Sequence, residues 1–413
     1  TPLSGETIFE MGASTEADVD EACKAAKAAR VEWAALPPSA RSAKLSALAD
    51  GLEARREEVM GWITREIGGT QVKAALEVQL VLGVLRGAAA LPFMVEGRIL
   101  PEDIPGKESR SYRQPVGVIG LISPWNFPVA TPAWKIAPAL AFGNAVIWKP
   151  ANQTPASAVA LTQIIAKQDL PKGLFNLVMG AGREIGQALA ESADVDAISF
   201  TGSVPVGRGI AAAAIPNMTK LQMEMVSKNP MVIMDDCDID LAVAHATNAA
   251  FGGTGQKCTA ASRLIVHERI HDEFVDKLAA AAQALRVGHA LEDGTQIGPV
   301  VSAEQLASNL AYIETGTAEG AELVCGGTRL ERPTEGYFMA PAVFAGTRND
   351  MRINREEMFA PITCVIKACS YDEALHLAND TEFGLTAGIM TRDLARATHF
   401  RRNARAGCVM INL

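Results

Sequence analysis

The sequence predicts an α/β protein in which a helical N-terminal stretch leads into two successive α/β units built on parallel sheets. Three observations carry this prediction. From Val116 onward, short apolar runs alternate with amphipathic helical stretches, the texture of a parallel sheet covered on both faces. The 413 residues exceed one small domain and can bury a large core. Hydrophobic residues make up 48% and charged residues 21%, which excludes a disordered chain.

The elements follow in order. Thr15 and Asp18 fit a capping box ahead of an Ala-rich helix ending near Leu36. Pro37-Pro38-Ser39 starts a second helix, in which Leu45, Leu48 and Leu52 recur at helical spacing, and Gly68-Gly69 ends it. A third apolar helix covers about Val72 to Phe93. Arg98 to Gln114 is polar and Pro-containing, and reads as a loop or an extended ribbon. Strands are predicted at Val116–Ile122, Ala145–Trp148, Leu174–Val178, Ala197–Phe200 and Met231–Met234, with helices such as Pro155–Lys167 and Arg183–Glu191 between them. A helix at Leu241–Phe251, a strand at Arg263–Val266 and a helix at Asp272–Leu285 open the second α/β unit. No repeat or low-complexity tract interrupts it.

Composition narrows the function. A net charge of −9 argues against a nucleic-acid-binding surface. The seven cysteines are scattered and no CxxC pair occurs, which argues against a metal cage and a disulfide framework. A reducing compartment, hence a cytoplasmic location, is expected. No apolar run approaches the ~18 residues of a membrane span, and no secretory signal is apparent.

Several short motifs sit where chemistry is possible. Ser123-Pro124-Trp125-Asn126-Phe127-Pro128 follows Ile122 at a strand end, where ligands collect in parallel sheets, and Asn126 offers two N–H donors. Trp148-Lys149-Pro150-Ala151-Asn152 is a second strand end, its lysine suited to a ribose or phosphate. Phe200-Thr201-Gly202-Ser203 runs a strand through a glycine turn into a helix at about Pro205 that Ser203 can cap. Glu224 is a lone carboxylate among apolar residues, and such a group becomes a general base if burial raises its pKa. Gln256-Lys257-Cys258 follows a run of small residues. Glu356-Glu357-Met358-Phe359 is an acidic pair before an aromatic. Each has an ordinary reading too: a loop, a solvated lysine, a tight turn, a sheet-edge acid, a core cysteine, surface charge.

Their order removes the ambiguity. Pro-Trp-Asn-Phe-Pro, Trp-Lys-Pro, Phe-Thr-Gly-Ser, Glu-Met-x-Ser-Lys-Asn-Pro, Gly-Gln-Lys-Cys and Glu-Glu-Met-Phe, in that sequence across the whole chain, resemble the aldehyde dehydrogenase superfamily. The resemblance implies two Rossmann-like domains: a dinucleotide-binding domain from 1–94 and 115–226, and a catalytic domain from 227–413. A projecting oligomerisation ribbon at 95–114 makes a homodimer or homotetramer the expected assembly. It implies NAD(P)+-dependent oxidation of an aldehyde to an acid, with no metal. Cys258 is then the nucleophile, forming a thiohemiacetal and then a thioester. Asn126 and the Cys258 N–H hold the oxyanion, and Glu224 activates water. Ile122, Ser123, Pro124, Trp125, Lys149, Asn152, Gly182, Phe200, Thr201, Gly202, Ser203, Glu357 and Phe359 map to cofactor positions. Phe127, Thr131, Trp134, Lys257 and Thr259 map to the substrate tunnel, with Lys257 a candidate cation for a substrate carboxylate.

Within the family, two echoes compete. Pro132 to Ala156 and Phe251 to Ser262 resemble α-ketoglutarate semialdehyde and related semialdehyde dehydrogenases; Val95 to Arg113 resembles vanillin- and benzaldehyde-type enzymes. A carboxylated or aryl semialdehyde is the expected substrate, and an aryl-bearing semialdehyde reconciles both echoes. Asn152 stands where many NAD-preferring relatives carry glutamate, so NADP+ is expected to be accepted, or preferred, alongside NAD+. Val226 replaces a usual glycine two residues after the base, where a valine disfavours positive φ, and Ala360 replaces another. The family pattern is expected to continue beyond Leu413, in a part either absent from the molecule or simply outside this stretch of sequence. The alternatives are a catalytically impaired dinucleotide-binding relative, for which these departures speak, and an aromatic (benzaldehyde- or vanillin-type) aldehyde dehydrogenase.

Overall fold

The computed structural model describes all residues, Thr1–Leu413, and the chain divides into two compact units. The N-terminal unit comprises Ile8–Ile63 and Ala74–Met225; the C-terminal unit comprises Thr1–Thr7, Thr64–Lys73 and Val226–Leu413. This differs from the expected division in three ways. Thr1–Thr7 and Thr64–Lys73 group with the C-terminal unit, the 95–114 ribbon stays with the N-terminal one, and the change-over follows Met225.

The N-terminal unit opens on helices α1 (Glu16–Ala35), α2 (Pro38–Ala54), α3 (Arg56–Ile67) and α4 (Gln71–Ala88), the last turns of α3 and first of α4 lying across the boundary. The capping box forms: Asp18 N donates to Thr15 Oγ1 at 3.3 Å and Thr15 N to Asp18 Oδ2 at 2.7 Å. Leu45, Leu48 and Leu52 are the buried stripe of α2. The single helix expected up to Gly68 is broken at Arg55, which leaves helical geometry (φ −114°, ψ 21°) and bonds Glu58 and Gln163 instead. The third expected helix stops at Ala88, and a 3-10 turn with Pro92 at its start covers Leu91–Met94.

Strands β1 (Arg98–Leu100) and β2 (Ser109–Ser111) pair antiparallel as a mostly exposed ribbon. Then come β3 (Val118–Ile122), α5 (Ala130–Ala141), β4 (Ala145–Lys149), α6 (Pro155–Ala166), β5 (Phe175–Leu177), α7 (Gln187–Glu191), β6 (Ala197–Gly202), α8 (Val204–Ala214) and β7 (Lys220–Met225). The five strands β3–β7 are parallel in the order β5-β4-β3-β6-β7. The chain winds outward one way from β3, then returns beside it to wind the other way. The reversal between β3 and β6 is where open α/β sheets bind ligands. Strand β7 has no counterpart among the predicted strands. It is an edge strand whose first three residues are exposed, so it lacks the apolar run of a central parallel strand.

The C-terminal unit contains β8 (Asn229–Ile233), α9 (Ile239–Phe251), β9 (Ala261–His267), α10 (His271–Ala284), α11 (Ala303–Ala318), β10 (Glu322–Cys325), β11 (Ala342–Thr347), α12 (Arg352–Arg355), β12 (Ile362–Ala368), α13 (Tyr371–Asn379), β13 (Thr386–Met390), α14 (Leu394–Asn403) and β14 (Cys408–Ile411). Its sheet runs β10-β11-β12-β9-β8-β13-β14, with β10 antiparallel and the rest parallel. Strands β8 and β13 are buried throughout. Arg263 of β9 is wholly buried among them. Its guanidinium donates to the Lys228, Leu377 and Ala378 carbonyls and to Asn349 Oδ1 at 2.8–3.0 Å. Four neutral acceptors satisfy the group, and burial still lowers its pKa to about 10. No helix of the protein is long and apolar enough to cross a membrane.

Candidate active site

In the N-terminal unit, register brings the motifs to one edge of the sheet. Ile122 lies opposite both Lys149 and Phe200, and Thr201 opposite Glu224. The carboxyl ends of β3, β4, β6 and β7 are therefore level, and the segments leaving them share the β3/β6 reversal.

The turn after β3 is tied down at both ends. Ser123 N donates to the Lys149 carbonyl at 3.2 Å, and Ser123 Oγ accepts from Trp148 Nε1 at 2.9 Å. Pro124, Trp125 and Phe127 are half-buried, and Asn126 is buried. At the far end α5 has no cap of its own, since its N-cap residue is Val129. Glu77 of α4 supplies one: its wholly buried carboxyl accepts from Val129 N at 2.8 Å and Ala130 N at 3.0 Å through Oε1. Sequence reasoning missed Glu77. Its one signal was an acid inside the apolar stripe of Ala74, Val78 and Val81.

Lys149 is buried, donates from Nζ to the Pro150 carbonyl at 3.0 Å, and burial lowers its pKa. Asn152 and Gly182 are exposed beyond the ends of β4 and β5. Ser203 is the N-cap residue of α8, but the expected side-chain cap does not form. Its hydroxyl therefore does not occupy the first N–H groups of that helix, which suits them to an anion. Helix α8 approaches the sheet closely because position 207 is glycine: a Cβ there would lie 2.6 Å from Met225 Sδ and 3.1 Å from the Phe200 ring.

Glu224 is half-buried near the end of β7. Beside it the structure adds Lys135 of α5, which the sequence reading did not single out. Its Nζ donates to Ser199 Oγ and Gln222 Oε1, both at 2.8 Å. Burial lowers its pKa to about 8, and the Glu224 charge opposes that shift. Of the expected tunnel residues, Thr131 is buried on α5 and Trp134 is exposed, with the Phe127 and Trp134 rings 6.5 Å apart.

In the C-terminal unit, Cys258 is half-buried in the turn between the 3-10 segment Gly252–Gly255 and β9. The turn is anchored on several sides. Thr254 Oγ1 donates to the Gly298 carbonyl at 3.2 Å, and Gln256 Oε1 accepts from Val301 N at 3.0 Å. Asn229 Nδ2 donates to the Cys258 carbonyl at 2.7 Å and the Ala260 carbonyl at 2.9 Å. Gly255 has φ +65°, and a Cβ there would stand 2.0 Å from the Ala360 carbonyl oxygen. The cysteine loop thus rests directly on the Glu357–Ala360 loop. Two non-glycine residues of these loops, Thr254 (φ 61°) and Phe359 (φ 53°), hold left-handed backbone, a strain that concentrates at functional sites.

Lys257, expected at the tunnel, donates from Nζ to the Asn248 carbonyl near the end of α9 at 3.2 Å, and burial lowers its pKa to about 8. Thr259 is exposed. The acidic pair divides its work. Glu356 pairs with Arg352 at 2.9 Å and accepts from Tyr312 OH at 3.0 Å, whereas Glu357 Oε1 accepts from Ser227 N at 3.1 Å. A cleft lined by Ser227, Gly255, Lys257, Ala260, Glu357 and Phe359 lies beside the turn. Val226 and Ala360 are absent from the residues with positive φ, so neither replacement of glycine stores left-handed strain. No two of the seven cysteines are joined by a disulfide, and no cluster of three or more His, Cys, Asp or Glu side chains could hold a metal.

Comparison with known proteins places this arrangement. The whole chain, residues 1–413, matches the model of the aldehyde dehydrogenase family. The chain is 41% identical to an α-ketoglutaric semialdehyde dehydrogenase of Bacillus subtilis, over 97% of this chain and 82% of that protein. It is also 41% identical to a vanillin dehydrogenase of Corynebacterium glutamicum, over 100% of this chain and 84% of that one. Among solved structures, a betaine aldehyde dehydrogenase of Staphylococcus aureus in complex with NAD+ superposes with a TM-score of 0.98 at 33% identity, covering 100% of this chain and 82% of the other.

Proposed function

The chain belongs to the aldehyde dehydrogenase family, and from that premise we propose that it oxidises a carboxylated or aryl semialdehyde to the carboxylic acid with NADP+ or NAD+. One observation supports the dinucleotide half of this reading above others. The Ser123–Phe127 turn, Lys149, Gly202 and Glu224 leave four neighbouring parallel strands at one level, around a helix N-terminus that its own serine does not cap. That edge fits part of a dinucleotide: Lys149 for the adenosine ribose and the α8 N-terminus for the pyrophosphate. Glu357 and Phe359 of the C-terminal unit are assigned to the nicotinamide ribose by the family resemblance. Bound there, the dinucleotide supplies the hydride acceptor of the oxidation.

The chain's own residues do the rest. The Cys258 thiolate adds to the aldehyde carbon, and the carbonyl oxygen takes up the negative charge of the thiohemiacetal. The Asn126 amide and the Cys258 N–H stabilise that oxygen, a contribution that costs 10²–10³-fold in rate when such a donor is lost. Loss of hydride leaves a thioester on Cys258. Glu224 takes a proton from water, the hydroxide adds to the thioester carbon, and the acid departs as the thiolate reforms. Lys135 stands beside this base as a cation of lowered pKa.

Similarity at the same level to a semialdehyde and a vanillin dehydrogenase supports a substrate bearing a carboxylate or an aryl group. The specificity constants for α-ketoglutaric semialdehyde, vanillin and a plain alkanal test it. A tenfold or greater preference for the first two is expected; equal values would sink the substrate assignment. Cytoplasmic location and assembly into a dimer or tetramer through the 95–114 ribbon belong to the same proposal, the second checked by light scattering with and without that ribbon.

A further inference from the structure

We propose that Asn229, the first residue of β8, positions the nucleophile by holding the backbone of the Cys258 turn at the end of a hydrogen-bond chain that starts at the Glu357 carboxyl. The inference rests on the reading of Cys258 as nucleophile. Asn229 is buried at the start of β8, and all four hydrogen-bonding positions of its amide are filled. Nδ2 donates to the carbonyls of Cys258 (2.7 Å) and Ala260 (2.9 Å), bracketing the turn. Oδ1 accepts from Ser227 Oγ (2.6 Å) and from Thr386 N (3.1 Å) on β13. Ser227 in turn donates its N–H to Glu357 Oε1. A continuous chain of bonds therefore runs from the Glu357 carboxyl through Ser227 and Asn229 to the backbone of Cys258.

The physical consequence is specific. The turn Cys258–Ala260 lies outside any strand, so its two carbonyls need side-chain partners, and Asn229 provides both. The Cys258 carbonyl, N–H and Sγ share one Cα, so holding the carbonyl restricts ψ of Cys258 and narrows the positions open to the attacking sulfur and the oxyanion donor. A displacement of about 1 Å at a reacting group can cost on the order of 10²-fold in rate. Asp in place of Asn keeps the shape but turns a carboxylate oxygen toward two carbonyl oxygens, so it should act through repulsion where Ala acts through loss. Ser227 lies one bond further back. Removing its hydroxyl takes one of the two donors from Asn229 Oδ1, so the amide keeps both bonds to the turn but is held less firmly, and a smaller change of the same kind follows.

The experiment compares wild type with Asn229→Ala, Asn229→Asp, Ser227→Ala and Cys258→Ala. It measures kcat and KM for the aldehyde, the dissociation constant for NADP+, and the rate of Cys258 alkylation by iodoacetamide against pH. The positioning role predicts kcat lowered by roughly 10²-fold in Asn229→Ala and more in Asn229→Asp. NADP+ affinity should stay within threefold, the alkylation profile should change, and Ser227→Ala should lose less than tenfold in kcat. An Asn229→Ala enzyme whose kcat and alkylation profile match wild type would overturn the proposal. So would a loss in which NADP+ affinity falls in step with kcat, since that marks general unfolding. If the Asn229 variants do not fold, Ser227→Ala decides: an altered alkylation profile upholds the network, and an unaltered one ends it. Retained aldehyde oxidation in Cys258→Ala would instead sink the underlying reading and is distinguishable from all of these.

Discussion

At the scale of single residues, two groups make opposite demands on charge. Lys228 is wholly buried, and its ammonium has no hydrogen-bond partner in the structure. Burial lowers its pKa from 10.5 to about 8. Between pH 8 and 10.5 the unfolded chain therefore keeps a proton that the folded chain releases, so stability rises with pH across that window. The cost of burying the charge is full below about pH 8. Lys228→Met is expected to melt above wild type at pH 7, with the gap closing towards pH 10; a gap that ignores pH would contradict this. Asn152, exposed beyond β4, is the second group: under the proposed cofactor reading, a neutral amide at this position tolerates a 2′-phosphate. Adding one negative charge at about 4 Å from another costs about 1 kcal/mol in water, more for a phosphate near −2. Asn152→Glu should therefore lower the NADP+/NAD+ ratio of specificity constants roughly tenfold, and an unchanged ratio would remove Asn152 from cofactor choice.

At the scale of elements, the site depends on how loops and helix ends are pinned. Gly255→Ala must place a Cβ 2.0 Å from the Ala360 carbonyl at φ +65°, so the cysteine loop and the Glu357 loop have to separate. A fall of at least about 10²-fold in kcat is expected, with a lowered melting temperature; near-normal kinetics would show that the contact does not set the site. Glu77→Ala leaves two buried N–H groups of the α5 start without their acceptor, at a cost of about 1–3 kcal/mol, and denaturant unfolding measures it. These elements also mark what was legible beforehand. The α1 capping box and the central strands were, because apolar runs and cap residues act locally. Strand β7 was not, because an edge strand with an exposed start carries no apolar run. The side-chain cap expected of Ser203 does not form. The cap on α5 comes instead from Glu77, a residue remote in sequence that no local pattern connects to Val129.

At the scale of the whole molecule, the family and the order of the two sheets were legible from the succession of motifs, which spans the chain. Long-range bonds were not. Asn229 reaching Cys258, and Lys135 reaching Ser199 and Gln222, depend on strand order and on which face a helix turns inward. The backbone strain expected at Val226 is absent because this residue does not take positive φ, which removes the backbone part of the argument for an impaired enzyme. The central claim is that this chain oxidises aldehydes through Cys258. Its most direct measurement is NADPH or NADH formation by the 413-residue protein with α-ketoglutaric semialdehyde and vanillin, beside Cys258→Ala. The expected result is acid formed in step with reduced dinucleotide by the wild type and none by the variant. Equal dinucleotide reduction by both proteins would contradict the account.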